Sequence, residues 1–199
     1  MAIDNSGGAP GQYILTGSNT IDKTKIRHTG TGRITRMMMY PMSLWESKDS
    51  SGMVSLQELF DNPNYNIDGA KSALDIPELI RVACRGGWPA TLHLSSEASM
   101  IVAKDYVKSV CSQDISAIDG KQRNPKVATR IIRSYARNIS TLAKKTNILA
   151  DVAGSENIEI SKGTLDDYIE ALEKIFVIQD IDAWCPAIRS KSAIRSAPK

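Results

Sequence analysis

Apolar residues recur every four positions from Val127 to Ile139, and no other feature constrains the fold of this chain as strongly. An α-helix completes a turn every 3.6 residues, so Val127, Ile131, Tyr135 and Ile139 fall on one side of a helix. This side can be buried only against other elements, and a helical unit from about Asn124 onward is therefore predicted.

The elements that follow this helix extend the pattern. A short helical stretch is predicted over residues 141–151, and a third helix opens at the capping pair of Thr164 and Asp167. The run VIQDI, residues 177–181, reads as a strand and is followed by a turn. Three helices, a strand and a turn are the order of a winged helix, so a winged-helix-like domain is predicted here.

The first 40 residues give a different prediction. QYILT, residues 12–16, is a short apolar run between two glycines, as in strands buried on both faces of a parallel sheet. RITRMMMY, residues 33–40, is a second strand candidate, with a short helical segment before it. Two strands separated by a helical segment favour an α/β arrangement.

Helix signals dominate the middle of the chain. Ser55 followed by Glu58 is a capping box, and a second helix opens over residues 75–78, with a proline in its first turn. That helix should end at Gly86, because glycine adopts the left-handed conformation at low cost. A longer helix is predicted from about Glu97.

Composition and charge place the chain in a broad class. It has 199 residues, of which 42% are hydrophobic and 24% charged, and no run approaches the ~20 apolar residues of a membrane span. No secretory signal is present, and the three cysteines show no CxxC pair, which predicts a cytoplasmic protein without a membrane partner. Residues 121–150 hold eight Lys/Arg and no acid, whereas residues 151–182 hold nine Asp/Glu and two Lys.

A phosphate-binding loop and a metal site are not found in the sequence. The nearest match to GxxxxGK[ST] is GSNTIDKT, residues 17–24, with Asp22 in place of the second glycine. A carboxylate there would repel an anion and restrict the backbone. His28 and His93 have no ligand at metal spacing, so no metal is predicted.

Two polar clusters are candidates for binding. Thr16, Ser18 and Asn19 follow the first predicted strand, where ligands sit in open α/β sheets; the alternative is a turn that satisfies its own backbone. The second group lies on the helix predicted from about Asn124, called here the basic helix, and consists of arginines spaced to share one exposed face. These arginines either bind phosphates, remain solvated, or pair with the acidic residues from Asp151 onward, called here the acidic block. These arginines are Arg130, Arg133 and Arg137.

Five segments in register resemble a known family. They are GQYILTGSN, GRITRMMMYPMSLWES, IPELIRVACRGGWPATL, RIIRSYARNIS and GTLDDYIEALEKIFVIQDIDAWCP. Together they resemble bacterial and archaeal AAA-type ATPases, in which a P-loop domain is joined to a domain of unknown function that starts winged-helix-like and continues nuclease-like. The resemblance covers nearly the whole chain, residues 2–199.

The resemblance implies an internal fragment, because the family carries its Walker A and Walker B segments before the part matched here. The expected fold is an α/β fragment of a P-loop ATPase domain followed by a mostly helical, winged-helix-like domain. Residues 1–48 would hold the sensor-1 strands, residues 49–120 a helical lid or linker, and residues 121–199 the start of the C-terminal domain.

The resemblance also implies roles for individual residues. Asn19 and Arg33 would act in catalysis, and a further set would contact the nucleotide, with ATP and Mg²⁺ as the cofactors of the full-length family. Nothing in this chain holds the phosphates, so neither tight ATP binding nor hydrolysis by the chain alone is expected. The nucleotide-contacting set is Thr16, Ser18, Arg36 and Arg85.

Three functions remain open on the sequence. The chain is an ATPase-derived fragment that is inactive alone, a DNA-binding module, or a protein-interaction element that works with other ATPase subunits. The third predicted helix carries Asp166, Asp167, Glu170 and Glu173 against Lys174, which favours the interaction element over DNA binding.

Overall fold

The computed structural model describes residues 11–17, 34–154 and 160–181, and the regular structure in these ranges is helical. A 3₁₀ turn, Pro89–Thr91, lies between the second and third helices. The third helix continues through a π-helical segment, Val110–Asp114, into a last turn, Ile115–Ala117. The α-helices are α1 Leu56–Asp61, α2 Ile76–Arg85, α3 Ser96–Ser109, α4 Pro125–Arg137, α5 Lys145–Ala153 and α6 Lys162–Lys174.

The predicted α/β fragment followed by a winged-helix-like domain is wrong as a fold class. Residues 12–16, 34–40 and 177–181 carry no strand, and no strand occurs elsewhere in the part of the chain that the structure describes. Residues 12–16 and 34–40 are exposed along their whole length, so the first two runs are not buried strands. An apolar run becomes a strand only when a neighbouring strand accepts its backbone hydrogen bonds, and these runs have no such neighbour among the described residues.

Two compact units make up the chain, and each is described by itself. One unit is Arg36–Tyr106; the other is Val107–Lys199 together with Met1–Thr35. The expected division at residues 48 and 120 stays a prediction.

Capping side chains and a glycine set the ends of the helices in the unit 36–106. The Ser55 side chain accepts a hydrogen bond from the Glu58 amide, and Asp75 does the same for Glu78, so both helices begin where predicted. The Ser55 amide donates to the Tyr65 hydroxyl, so the return bond of the predicted capping box is replaced. Helix α2 stops at Gly86, whose φ of 76° is the left-handed conformation expected there. Few side chains are fully buried in this unit, and Val82 is the apolar one among them.

The π-helical segment aligns two core residues in the other unit. The Ile115 amide donates to the Val110 carbonyl, an i to i+5 hydrogen bond in place of the usual i to i+4. Residues five apart therefore lie above one another, and Val110 and Ile115 are both buried. In regular α-helical winding these two side chains would point about 140° apart.

Helices α4, α5 and α6 pack pairwise around this segment and enclose the core. The predicted stripe on α4 is confirmed at Val127, Ile131 and Tyr135, which are buried. Ile139 is exposed because the helix has already ended at Arg137. The same core holds α5 and α6 side chains with no more than 1% of their surface exposed: Ile148, Val152, Leu165, Ile169 and Leu172.

Candidate functional site

The basic helix α4 carries the best sequence-predicted binding residues. Asn124 caps it by accepting a hydrogen bond from the Lys126 amide, and Pro125 occupies the first turn, where its missing N–H costs nothing. Arg133 and Arg137 are exposed, whereas Arg130 is half-buried and already has an interaction within the chain. The helix therefore presents its three arginines in three different states.

Arg137 is paired with the helix beside it. Its Nη2 and Nε lie 2.6 and 3.1 Å from Oδ2 of Asp151 on α5. The buried Ser134 hydroxyl donates to the same oxygen at 2.6 Å. The hydrogen bonds from Ser134 and then Arg137 lower the pKa of Asp151 below its usual range. One alternative from the sequence was that the basic helix pairs with the acidic block. Arg137 makes such a pair with Asp151.

Arg133 keeps its charge available. No carboxylate pairs with it among the described residues, and its side chain faces solvent. Because Arg137 is neutralised locally and Arg130 is engaged, a phosphate backbone approaching α4 would find one uncommitted arginine where the spacing suggested three. The nucleic-acid role of these residues stays a prediction.

Arg85, expected to act as a second sensor, is buried at the end of α2. Its Nη2 lies 2.6 Å from Oδ2 of Asp49, which also accepts from the Ser47 hydroxyl at 2.6 Å. The hydrogen bond from Arg85 lowers the pKa of the Asp49 carboxyl most, followed by that from Ser47. Inside the unit 36–106 this guanidinium is committed to a carboxylate, which is how a structural arginine is held.

The remaining nucleotide-contacting predictions are only partly visible. Thr16 and Arg36 lie in exposed segments without regular structure. Ser18, Asn19 and Arg33 fall outside the described residues. The roles of the predicted catalytic and cofactor-binding residues therefore stay predictions.

An ionic cluster that the sequence did not predict joins the turn after the π segment to α6. Arg123, whose side chain is 3% exposed, donates to both oxygens of Asp119, to Oδ2 of Asp167 at 3.0 Å and to the Ile115 carbonyl at 2.6 Å. Lys121 reaches the other oxygen of Asp167 at 2.6 Å. The Arg123 hydrogen bonds are the largest cause of the lowered pKa of Asp119. The hydrogen-bond partners of Arg123 in this cluster are residues of the chain itself. The cluster therefore holds the turn and α6 together, and it is called here the clamp.

Tyr168 extends this clamp. Its hydroxyl accepts a hydrogen bond from the Asn124 amide at 2.7 Å, and its ring lies 6.0 Å from the Arg123 guanidinium carbon. The start of α4 is thereby fixed to α6 by a side chain and not only by core packing. No signal in the sequence could have found this contact, since its two residues lie 44 positions apart.

Apolar side chains left exposed on α2 and α3 are a second feature that the sequence did not predict. On α2, Ile76 and Ile80 are 74% and 58% exposed, and on α3, Ile101 is 60% exposed. Near the end of α3, the Tyr106 ring packs edge to face on Trp88 at 4.9 Å. This unit buries Val82 and exposes apolar side chains of the size that proteins use to contact one another; the exposed apolar side chains of α2 and α3 are called here the α2 and α3 surface.

Metal-binding clusters and membrane-spanning helices are two further features that bear on function. No cluster of three or more His, Cys, Asp or Glu side chains that could hold a metal ion occurs in the parts of the chain that the structure describes. Nor does any helix there have the length and apolar character needed to cross a membrane.

Fold and contacts together define a helical protein with a clamped three-helix core in one unit and an apolar surface on the other. Residues 76–199 match the family described as a domain of unknown function (DUF8612), and the chain belongs to that family. Neither a curated protein nor a solved structure matches the chain. The comparisons therefore give membership of a family and no activity.

Proposed function

We propose that this chain is a helical protein-interaction element that works with an AAA-type ATPase and does not hydrolyse ATP by itself. The observation that carries the proposal is the exposed apolar surface of α2 and α3 in the unit 36–106. Its link to an ATPase is supported by the five sequence segments that resemble that family.

The energetic argument starts from the core of this unit. A small unit is stabilised mainly by the apolar surface that it removes from water, and the unit 36–106 buries little beyond Val82. Polar contacts inside it include the Arg85–Asp49 pair and the Tyr65 hydroxyl, which donates to the Met53 carbonyl at 3.1 Å. Covering Ile80 and Ile101 with a partner would supply the missing burial.

The charges in the other unit favour a protein partner over DNA. Asp166 on α6 pairs with Lys145, and Glu170 pairs with Lys174, so α6 presents acids and neutral pairs to solvent. A helix of this composition repels a phosphate backbone. Arg137, which would have to compensate from α4, is paired with Asp151.

Size-exclusion chromatography with light scattering tests the proposal. The probe is a full-length ATPase that carries both a P-loop and segments resembling those of this chain. Co-elution is expected with the wild-type chain, and Ile80→Asp or Ile101→Asp should abolish it, because each places a charge on the apolar surface. Lys104→Asp, a change at another exposed position on α3, should leave co-elution intact.

Two results would overturn the proposal. Co-elution that survives both apolar substitutions would show that another surface carries the contact. A stable homo-oligomer that Ile101→Asp dissolves, without any complex with the ATPase, would assign the surface to a second copy of the chain.

A further inference from the structure

The connection between α4 and α5 also exposes apolar side chains. Ile139 and Leu142 lie in this connection with 69% and 62% of their surfaces exposed. In the sequence, the exposed Arg133, in the last turns of α4, precedes them, and the exposed Lys144, immediately before α5, follows them. These four residues are named the α4–α5 corner.

Hydrogen bonds fix the backbone of the corner. The Asn138 side chain donates to the Ser134 carbonyl at 2.8 Å, and the Asn138 carbonyl accepts from both the amide and the hydroxyl of Thr141. Ser140, at the third position of this turn, has a φ of 58°, a left-handed conformation that costs energy for a residue with a Cβ. An ordered turn that exposes two aliphatic side chains is pre-organised for contact, since little entropy is lost when a partner binds it.

Ion pairs elsewhere in the unit leave this corner positively charged. The nearby basic residues Arg137 and Lys145 have carboxylate partners, Asp151 and Asp166. In the ranges that the structure describes, no carboxylate pairs with Arg133 or Lys144, and residues 121–150 contain no Asp or Glu. The corner thus combines exposed apolar side chains with positive charges that no carboxylate among the described residues pairs with.

We propose that the α4–α5 corner binds an acidic amphipathic segment of a partner protein. The apolar residues of the segment would cover Ile139 and Leu142, and its carboxylates would pair with Arg133 and Lys144. Charge complementarity selects the acidic character, and the paired aliphatic side chains select the apolar stripe. The corner does not depend on the α2 and α3 surface, so each proposal can fail without the other.

The aliphatic pair distinguishes this occupant from a nucleic acid. A phosphate backbone makes hydrogen bonds and ion pairs with basic side chains but offers nothing apolar to cover Ile139 and Leu142. Aliphatic side chains between the positive charges add no binding energy for DNA. A protein segment gains binding energy both from ion pairs with the basic side chains and from burial of the aliphatic ones.

Fluorescence anisotropy with three labelled probes tests this inference on the full chain. The first probe is a helical peptide with glutamates on one face and leucines on the other; the second has the same charge, with serine in place of leucine; the third is duplex DNA. The first probe should bind at least about tenfold more tightly than either of the others.

Substitutions at the corner complete the test. Ile139→Ser and Leu142→Ser should each weaken binding of the first probe about tenfold, and Arg133→Glu and Lys144→Glu should do the same. These side chains are exposed, so the fold should be retained, which circular dichroism checks. Lys126→Glu, the same charge change in the first turn of α4, is the matched control and should have little effect.

The inference is overturned by any of three outcomes. The serine peptide or the DNA could bind as tightly as the leucine peptide, Ile139→Ser could leave binding unchanged, or none of the probes could bind. Co-elution with the ATPase in the earlier experiment could still be seen in each case, so the two failures are distinguishable.

Discussion

The guanidinium of Arg123 meets the carboxylate of Asp119 along two parallel hydrogen bonds, each 2.8 Å from nitrogen to oxygen. A bidentate pair of this kind fixes the orientation of both groups as well as their separation. Arg123 also donates to Asp167 on α6 and to the Ile115 carbonyl. One side chain therefore connects the turn at Asp119, helix α6 and the helical turn that follows the π segment. The start of α4 is held in place by this clamp.

Removing the clamp should destabilise the protein. Arg123→Met keeps the apolar stem of the side chain but removes the guanidinium that donates to the Ile115 carbonyl and to two carboxylates, so the free energy of unfolding should fall by about 3 kcal/mol. Urea unfolding followed by circular dichroism measures the change. Arg133→Met, on the exposed face of α4, should alter stability by less than about 0.5 kcal/mol. Equal effects of the two substitutions would refute the clamp.

Stability should fall in acid because of the same carboxylates. Hydrogen bonds from Arg123 lower the pKa of Asp119, and the hydrogen bond from Lys121 is the largest cause of the lowered pKa of Asp167. A group whose pKa is lower in the folded state contributes stability above its unfolded value, about 3.9, and loses that contribution as the pH falls through the folded value.

The pH dependence can be assigned by substitution. Asp119→Asn should be less stable than wild type at pH 6, and the difference should shrink as the pH is lowered below about 4. Urea unfolding at several pH values measures both curves. Asp105→Asn, exposed on α3, controls for the loss of one charge. A constant gap between Asp119→Asn and wild type at every pH would contradict the linkage.

Gly87 should not tolerate a side chain. A Cβ there would lie 2.5 Å from the Met42 carbonyl oxygen and 2.9 Å from Cβ of Pro41. Because the Gly87 carbonyl also accepts the Met42 amide at 2.8 Å, the two segments cannot separate without losing that bond. Gly87→Ala should raise hydrogen exchange at the Met42 amide about tenfold. Gly163→Ala, where the nearest atom is 3.8 Å away, should leave exchange in its helix unchanged or slower.

ATP hydrolysis by the purified chain should not exceed a blank. The sequence contains no GxxxxGK[ST], so the backbone amides and lysine that hold a triphosphate are missing. A coupled phosphate-release assay with Mg²⁺ measures the rate. Turnover abolished by Asn19→Ala would show that the chain completes a nucleotide site in some other way.

Duplex DNA should bind weakly, if it binds at all, and with a shallow salt dependence. Three phosphates neutralised by α4 would give a log–log slope of about −3, whereas Arg133 alone would give about −1. Anisotropy at two salt concentrations gives the slope. A slope near −3 that Arg130→Ala and Arg137→Ala both reduce would restore the nucleic-acid interface predicted from the sequence.

Local signals in the sequence predicted the helices well. The side-chain caps at Ser55 and Asp75, the left-handed end at Gly86 and the buried stripe on α4 all depend on residues within a turn or two of each other. Helix α6 begins earlier than its predicted capping pair, because Ser161 accepts the hydrogen bond from the Thr164 amide. Ser161 and Thr164 can both cap a helix, and only tertiary packing decides between them.

Features that depend on distant residues could not be predicted. The three strand predictions came from short apolar runs, yet a strand requires a partner elsewhere in the chain, and periodicity carries no information about that partner. The Arg123–Asp167 pair joins the turn before α4 to α6, and the Arg137–Asp151 pair joins α4 to α5. Spacing along α4 carries no information about such partners, so Arg130, Arg133 and Arg137 looked equivalent in the sequence. Their separate roles follow from which neighbour each one meets.

A π-helical segment contains one residue more than regular winding would need, and deletion of Ser112 from the segment Val110–Asp114 would let the helix revert to the common geometry. Val110 and Ile115 would then be four residues apart in regular winding, about 40° from each other, so both side chains would still face the core. A deletion within the regular part of α3 would instead rotate all that follows by about 100° and turn Ile115 away from the interior. The protein should thus tolerate the loss of Ser112 better than the loss of a residue such as Lys104.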